Sequence, residues 1–392
     1  MTPETTIYLD HGATTPVHPT VVEAMLPYWT DYYGNPSSHH AFGREAEAAL
    51  RQARQQIAAL LGAAESEIVF TANGSAADNM AIRGIVYTAL QSRPSCHIII
   101  SSIEHSAVKN TAHQLAGTVA CEVTELPVDQ FGQIRLVDLE AAIRPETVLI
   151  SIMAANNEIG TLQPVEAIGQ LALERGITFH TDAVQALALQ KWQLAHMPVD
   201  LLSIAPHKFY GPKGFGILYV REGINLTPML TGGGQEHELW AGTENVAFAV
   251  GAAAALQLAM DELPELATHY RRLTSRLIKG LTAAMPADCR LTGHPEHRLP
   301  HNASFAFRGI SGNDLLMHLD MAGIAASSGS ACKSGDPKPS ATLEALGLGP
   351  EWTKGGLRLT VGRQNDLDDI EYAILTIAPI VVKLQELAQV LA

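Results

Sequence analysis

Lys208 lies in the stretch SIAPHKFYGPKG, directly after His207 at the end of an apolar run and ahead of a turn rich in Gly and Pro. An amine held at a strand end and partly desolvated gives up its proton and can form a Schiff base with an aldehyde; taken alone, the residue is equally an ordinary surface lysine. Asp182, in FHTDAVQ, closes a second apolar run, with Gln185 three residues on. An aspartate there would keep a pyridine nitrogen protonated and make its ring an electron sink, or would simply cap a helix. His105 follows HIIIS, where a flat imidazole can stack on a ring and carry protons. The turn ANGSAADN offers the free N–H groups of a helix start, at Gly74, and the Ser75 hydroxyl to a phosphate. Arg358 and Arg363, in GGLRLTVGR, could fork a substrate carboxylate or sit solvated on the surface. Cys332 stands in SSGSACKSGDPKPS, a run of Ser, Gly and Pro with almost nothing apolar to bury a thiol against.

These residues need a frame. Apolar runs of strand length at 97–101, 147–153, 176–182, 200–205 and 214–220 alternate with Ala-rich helical patterns such as 37–62, which opens on Ser and closes on Gly. Such alternation reads as a mainly parallel sheet covered by helices, whose ligands collect beyond the carboxyl ends of the strands. A helical stretch at about 246–261 precedes a change of character, with hairpin-like patches such as 301–309. A large domain over 15–259 and a smaller α+β domain built from 1–14 and 260–392 are expected, the latter carrying the cysteine loop at about 327–340.

Composition narrows the function. The chain has 392 residues, 47% hydrophobic and 17% charged, and a formal net charge of −14. That is enough for a large core, and its sign opposes direct binding of nucleic acid or an anionic membrane. No leader-like N-terminus and no apolar run of about 18 residues is present, so a cytoplasmic protein without a membrane segment is expected. Cys96, Cys121, Cys289 and Cys332 form no CxxC pair, so neither a disulfide framework nor a metal site is expected.

The order and spacing of IYLDHGATTPVHP, YGNPSSHHAFG, FTANGSAADN, IEHSAV, NNEIG, HTDAVQ, HKFYGPKG, GGGQEHELWAGTEN, SSGSACKSG and LRLTVGR resemble the cysteine desulfurases of the NifS/IscS-like group, pyridoxal-phosphate enzymes of the class V aminotransferases. The resemblance covers almost the whole chain; HK followed by GPKG, and the SGSAC loop, are its most specific parts. It implies fold type I, with a mainly parallel seven-stranded sheet, and a homodimer with shared active sites. It makes Lys208 the Schiff-base lysine, Asp182 the partner of the ring nitrogen, Asn157 and Gln185 the partners of the ring oxygen, and His105 the stacking group. His207, Gly74 and Ser75 would hold the phosphate, with Thr243 reaching over from a second subunit, and Arg358 and Asn35 the substrate carboxylate. Cys332 matches the nucleophile that takes sulfur from L-cysteine, leaving L-alanine and a persulfide for an acceptor such as an iron–sulfur scaffold protein. A nucleophile that receives sulfur and hands it on must travel, which a loop of Gly, Ser and Pro allows.

The chain departs from the pattern at His11 and Gly12, at Ser75 and Ala76, at Ala205 and Pro206, and at His237 and Trp240. Ala205 removes one expected phosphate donor. The sequence therefore leaves open a selenocysteine lyase or related carbon–sulfur lyase on the same fold, and a catalytically silent scaffold homologue.

Overall fold

In a computed structural model, which describes residues 6–328 and 339–391, the chain forms three sheets. The strands are β1 Ile7–Tyr8, β2 Ile68–Thr71, β3 Cys96–Ser101, β4 Cys121–Leu126, β5 Thr147–Ser151, β6 Thr178–Asp182, β7 Leu201–Ile204, β8 Gly216–Val220, β9 Cys289–Leu291, β10 Asn302–Phe307, β11 Ile324–Ala325 and β12 Gly356–Thr360. The main sheet has seven strands in the order β2-β8-β7-β6-β5-β3-β4. β8 runs against both its neighbours, and the other pairings are parallel. All six residues of β3 are buried, because helices cover both faces and the strand has no wet side. Ile98 and Ile100 pack under helices 74–90 and 106–118, whereas Ile99, one step along the pleat, packs toward helices 41–61 and 246–261.

A second apolar cluster gathers around the antiparallel sheet β12-β10-β9, where Phe305 and Phe307 meet Leu273, Leu277 and Leu281 of helix 263–284 and Ile370 and Ile377 of helix 367–391. Leu9 belongs to this cluster although it lies at the far end of the sequence, because β1 pairs in parallel with β11.

Local differences from the sequence reading have physical causes. Helix 41–61 starts later than the Ser pair suggests: His40 is its cap, Nδ1 accepting the Gly43 N–H at 3.2 Å, while Ser37 donates its N–H to Asn35 Oδ1. Gly62 closes it with φ 64, as a left-handed C-cap requires. The patch at 301–309 is the central strand β10 rather than a hairpin. Cys332 and residues 329–338 lie outside the described residues.

Candidate functional site

The carboxyl ends of β3, β5, β6 and β7 open onto a cavity of roughly 710 Å³, where the chain places His105, Asn157, Asp182 with Gln185, and Lys208. Gly74, Ser75 and His207 line it from the main sheet's side, and Arg358 lines it from β12 of the small sheet. Nine of the residues singled out from sequence are thus brought together in one cleft, while Asn35 and Thr243 are not among its lining residues. Asn35 is exposed at a turn. Thr243 lines a separate cavity with Phe70, Trp240 and Glu236. Arg363 is also elsewhere, ion-paired with Glu262 and stacked over the Tyr210 ring.

Lys208 Nζ donates to the carbonyls of Gly12 at 2.7 Å and Ala13 at 2.8 Å. The Gly12 carbonyl also receives Gln185 Nε2 at 2.9 Å, so the departure at Gly12 supplies a hub for two cleft residues. A Cβ at Gly12 would come to 3.1 Å from Thr360 Cγ2 and 3.5 Å from Arg358 Nε. Its neighbour His11 is buried against Gly362, and burial pushes its imidazole down to about 4.

Burial, followed by the charge of Arg358, pushes Lys208 down to about 8, against the opposite pull of Asp182 and Asp10. The sign matters: its amine is mostly protonated below that value and mostly free above it. Reductive labelling of Lys208 by a small aldehyde and borohydride, read by peptide mass spectrometry, should therefore rise through about pH 8, while surface lysines follow near pH ~10.4. A Lys208 profile that tracks the surface lysines would contradict its desolvation.

Asp182 is buried; its Oδ1 accepts the Val184 N–H at 2.9 Å, which makes it the cap of a turn rather than of an α-helix. Desolvation raises its carboxyl, opposed by His105, by that N–H and by Lys208. His105 is the N-cap of helix 106–118, Nδ1 accepting the Ala107 N–H at 3.2 Å. His207 approaches Thr14 Oγ1 at 3.1 Å, and burial with Lys208 and Lys213 pushes it down to about 4. Arg358 donates to the Asn157 carbonyl and to Asp10 Oδ1, each at 2.8 Å, and its buried Nε has no partner.

The donor set suits a phosphorylated pyridine aldehyde. Helix 74–90 begins at Gly74, capped by Asn73 Oδ1 on the Ala76 N–H, and the first-turn N–H groups of Gly74 and Ser75 have no intrahelical carbonyl to bond. A Cβ at Gly74 would meet Val184 Cγ2 at 3.0 Å and Ala205 Cβ at 3.2 Å, so the small residues keep this corner open. An amine, an anionic acceptor and an anion-binding helix start thus face one space, and the orphaned Arg358 Nε and Ser102 Oγ line it as further polar groups.

Several residues escaped the sequence reading. Asn156 is fully buried and ties NNEIG to the loop before His105, giving Nδ2 to the Ile103 carbonyl while Oδ1 accepts the N–H groups of Glu158 and Ile159. Asp10 pairs Arg358, and Glu158 accepts the Ser340 hydroxyl at 2.7 Å. Asp78 and Glu104 are buried acids lining the cleft, and the buried base His180 lies behind Asp78. His180 was signalled by its position two residues before Asp182, on the same face of β6. The departure at His237 falls in a left-handed turn, Glu236 to Glu238 with φ 48 to 65, pinned by the buried fork between Glu236 and Arg54. Ser327 on one side of residues 329–338, and Ala341 and Thr342 on the other, line the cavity. Cys96 and Cys121 are direct register partners across β3 and β4 and are free thiols.

The family model of the class-V aminotransferases matches residues 7–373. The chain is 44% identical to the cysteine desulfurase IscS of Clostridium botulinum, over 96% of its own length and 94% of that protein's. It is 46% identical to the cysteine desulfurase IscS of Methanosarcina thermophila, over 97% of its length and 93% of the relative's. A solved NifS-like protein superposes with a TM-score of 0.89 at 35% identity, covering 97% of this chain and 100% of that one.

Proposed function

Since the chain belongs to the class-V aminotransferase family, and within it to the cysteine desulfurases, we propose that its cleft binds pyridoxal phosphate and takes sulfur from L-cysteine, releasing L-alanine. The observation that carries this reading is the convergence of a desolvated Lys208 amine, a buried Asp182 and an Arg358 with a free Nε on one cavity. We take residues 15–259 as the large domain and 1–14 with 260–392 as the small one, so that Arg358 closes the cleft from the second domain.

Pyridoxal phosphate, when bound, supplies an aldehyde and an electron-withdrawing ring that stabilises negative charge at the substrate Cα. Lys208 would hold it covalently, and its amine, freed by substrate, would move the α-proton at Nζ. Asp182 would hold negative charge toward the ring nitrogen, His105 would stack on the ring face, and Gln185 and Asn157 would bond its oxygen. Gly74, Ser75 and His207 would hold the phosphate. A neutral His207 donates or accepts one hydrogen bond there without adding positive charge, and Ser75 provides a hydroxyl in spite of Ala205. Thr243, outside this chain's own cleft, would complete the phosphate site of a second copy in a homodimer, and Asn35 would join Arg358 at the substrate carboxylate only when its turn is brought over the cleft.

Cys332 would act as thiolate on the substrate sulfur: the new S–S bond forms as the substrate C–S bond breaks, leaving a persulfide for an acceptor protein such as an iron–sulfur scaffold. Support comes from the flanks of residues 329–338, both of which line the cavity. No single helix among the described residues is long and apolar enough to cross a membrane, and a reducing cytoplasm suits the free thiols. The reading is tested by incubating the purified protein with L-cysteine and a mild reductant and following alanine and sulfide together, beside Cys332→Ala. Equimolar products from the wild type that fall about a hundredfold or more in the variant are expected; undiminished alanine from Cys332→Ala would move the assignment to a lyase that needs no thiol.

A further inference from the structure

Three carboxyl groups from three separate elements are buried at the floor of the cleft: Asp78 on helix 74–90, Glu104 in the turn after β3, and Asp182 at the end of β6. One ligand atom each of Asp78, His105 and Asp182 all lie within 4.8 Å of one another. Two anions so close in a low-dielectric site are stable only if each has its own cation or enough donors; otherwise the pair keeps a proton.

The surroundings of the two aspartates differ. Asp182 accepts the Val184 N–H and has Lys208 and His105 close enough to favour its charged form. Asp78 is 1% exposed, and its Oδ1 has no hydrogen-bond partner. The basic group behind it is His180, with Nε2 3.8 Å from that oxygen. His180 cannot serve as a counter-cation: Nδ1 lies 2.8 Å from Ser151 Oγ, Nε2 lies 3.0 Å from Ser203 Oγ, and burial pushes it down to about 3. The titratable groups that face Asp78 are thus His180 and Asp182 from β6, with Glu104 and His105 from the turn after β3. Of these Glu104 adds no positive charge: its Oε1 accepts from Ser101 Oγ and the Met153 N–H, Oε2 is unpartnered, and burial pushes it up to about 8.

We propose that Asp78 is a positioning residue that keeps a proton at neutral pH and, by staying uncharged beside Asp182, leaves Asp182 as the one negative carboxyl at the floor of the cleft. The Ser203 hydroxyl bonds His180 and pulls the Asp78 acid down, against the stronger upward push of burial and of Asp182. Were Asp78 ionised, its charge would compete with Asp182 for Lys208 and push the second carboxyl to take up the proton, and Asp182 would lose the charge that a ring nitrogen needs. Burial and mutual repulsion both hold the Asp78 acid far above the ordinary aspartate range, in agreement with this placement. The significance for cofactor binding rests on the reading of Asp182 as the partner of the ring nitrogen.

The test uses the full-length protein in two stages. Difference infrared spectra of the cofactor-free protein, wild type against Asp78→Asn, report the proton directly: a carboxylic-acid carbonyl band present in the wild type at neutral pH and missing from the variant is expected, whereas a lost carboxylate band overturns the proposal. Titration with pyridoxal phosphate, followed by absorbance across pH, then compares the variants. Asp78→Asn, neutral and of the same shape, should bind within about threefold of wild type with the same pH profile, while Asp78→Ala, which removes the hydrogen-bonding group, should bind about tenfold more weakly. An Asp78→Asn variant whose affinity changes by more than about tenfold with a displaced pH profile would show that a charge had been removed, against the proposal. If Asp182→Asn binds as well as wild type, the ring-nitrogen reading of Asp182 fails, and the infrared band still decides the state of Asp78. Carboxyl-labelled aspartate in the wild type, read by NMR, gives the same answer without any substitution should Asp78→Asn not fold.

Discussion

Replacing Lys208 with alanine is expected to cut alanine and sulfide formation from L-cysteine by at least about a thousandfold, because in the proposed function one amine would both anchor the cofactor and move the α-proton. The fold should survive. Lys208 sits half-buried at a cost in desolvation, and the Gly12 carbonyl keeps its bond from Gln185 when the amine is gone. Loss of the ammonium also removes one of the groups that hold Asp182 in its charged form, so the variant should take up pyridoxal phosphate weakly and without a reducible covalent link. Thermal melting near the wild-type temperature, borohydride reduction that leaves no pyridoxyl group on the protein, and partial rescue by a small added amine would together assign the loss to the missing Nζ. A Lys208→Ala protein retaining more than about a tenth of wild-type turnover would remove Lys208 from the chemistry.

Residues at strand ends were the ones legible in the sequence. Lys208, Asp182 and His105 each follow an apolar run, and in an open parallel sheet such positions share one edge, so their convergence follows from the alternation of strands and helices. Arg358 reaches the same cavity from a different sheet; nothing local to LRLTVGR distinguishes it from Arg363, which the fold sends instead to Glu262. The resemblance alone picked Arg358 in the sequence, and in the fold the antiparallel pairing of β12 with β10, with the bond to Asp10 across almost the whole chain, sets the two apart. Asp78 and Glu104 were illegible for a related reason: a single acid inside an Ala-rich helix or after a Ser pair reads as a solvated side chain until the packing of helix 74–90 on the sheet buries it. The reversed direction of β8 was likewise hidden, because a buried central strand shows the same continuous apolar run whichever way it points. The departures at Gly12 and His11 become intelligible only in three dimensions, where one supplies the carbonyl for Lys208 and the other fills the space over Gly362.

Exchanging Arg358 for lysine keeps a positive charge and should still raise the KM for L-cysteine by about a hundredfold, with a smaller fall in kcat. The guanidinium works in three directions at once: one terminal nitrogen holds the Asn157 carbonyl, the other holds Asp10, and Nε is left for a ligand. A lysine ammonium is a single point of charge on a flexible stem and cannot span these positions. Asp10 would capture it, and the substrate carboxylate would lose a charge-assisted hydrogen bond worth about 1.5–3 kcal/mol, which corresponds to roughly ten- to hundredfold in affinity. The direction of the kinetic change carries the argument, because a residue that binds the carboxylate throughout the reaction affects KM more than turnover. Alanine substitution would be the less informative choice, since it leaves the half-buried Asp10 carboxylate without its guanidinium and destabilises the junction between β1 and β12. Steady-state kinetics with L-cysteine and with its carboxamide separate the two roles: the amide should bind poorly to the wild type and be affected little by Arg358→Lys. Equal KM values for L-cysteine in wild type and variant would place the carboxylate elsewhere, with Asn35 the next residue to test.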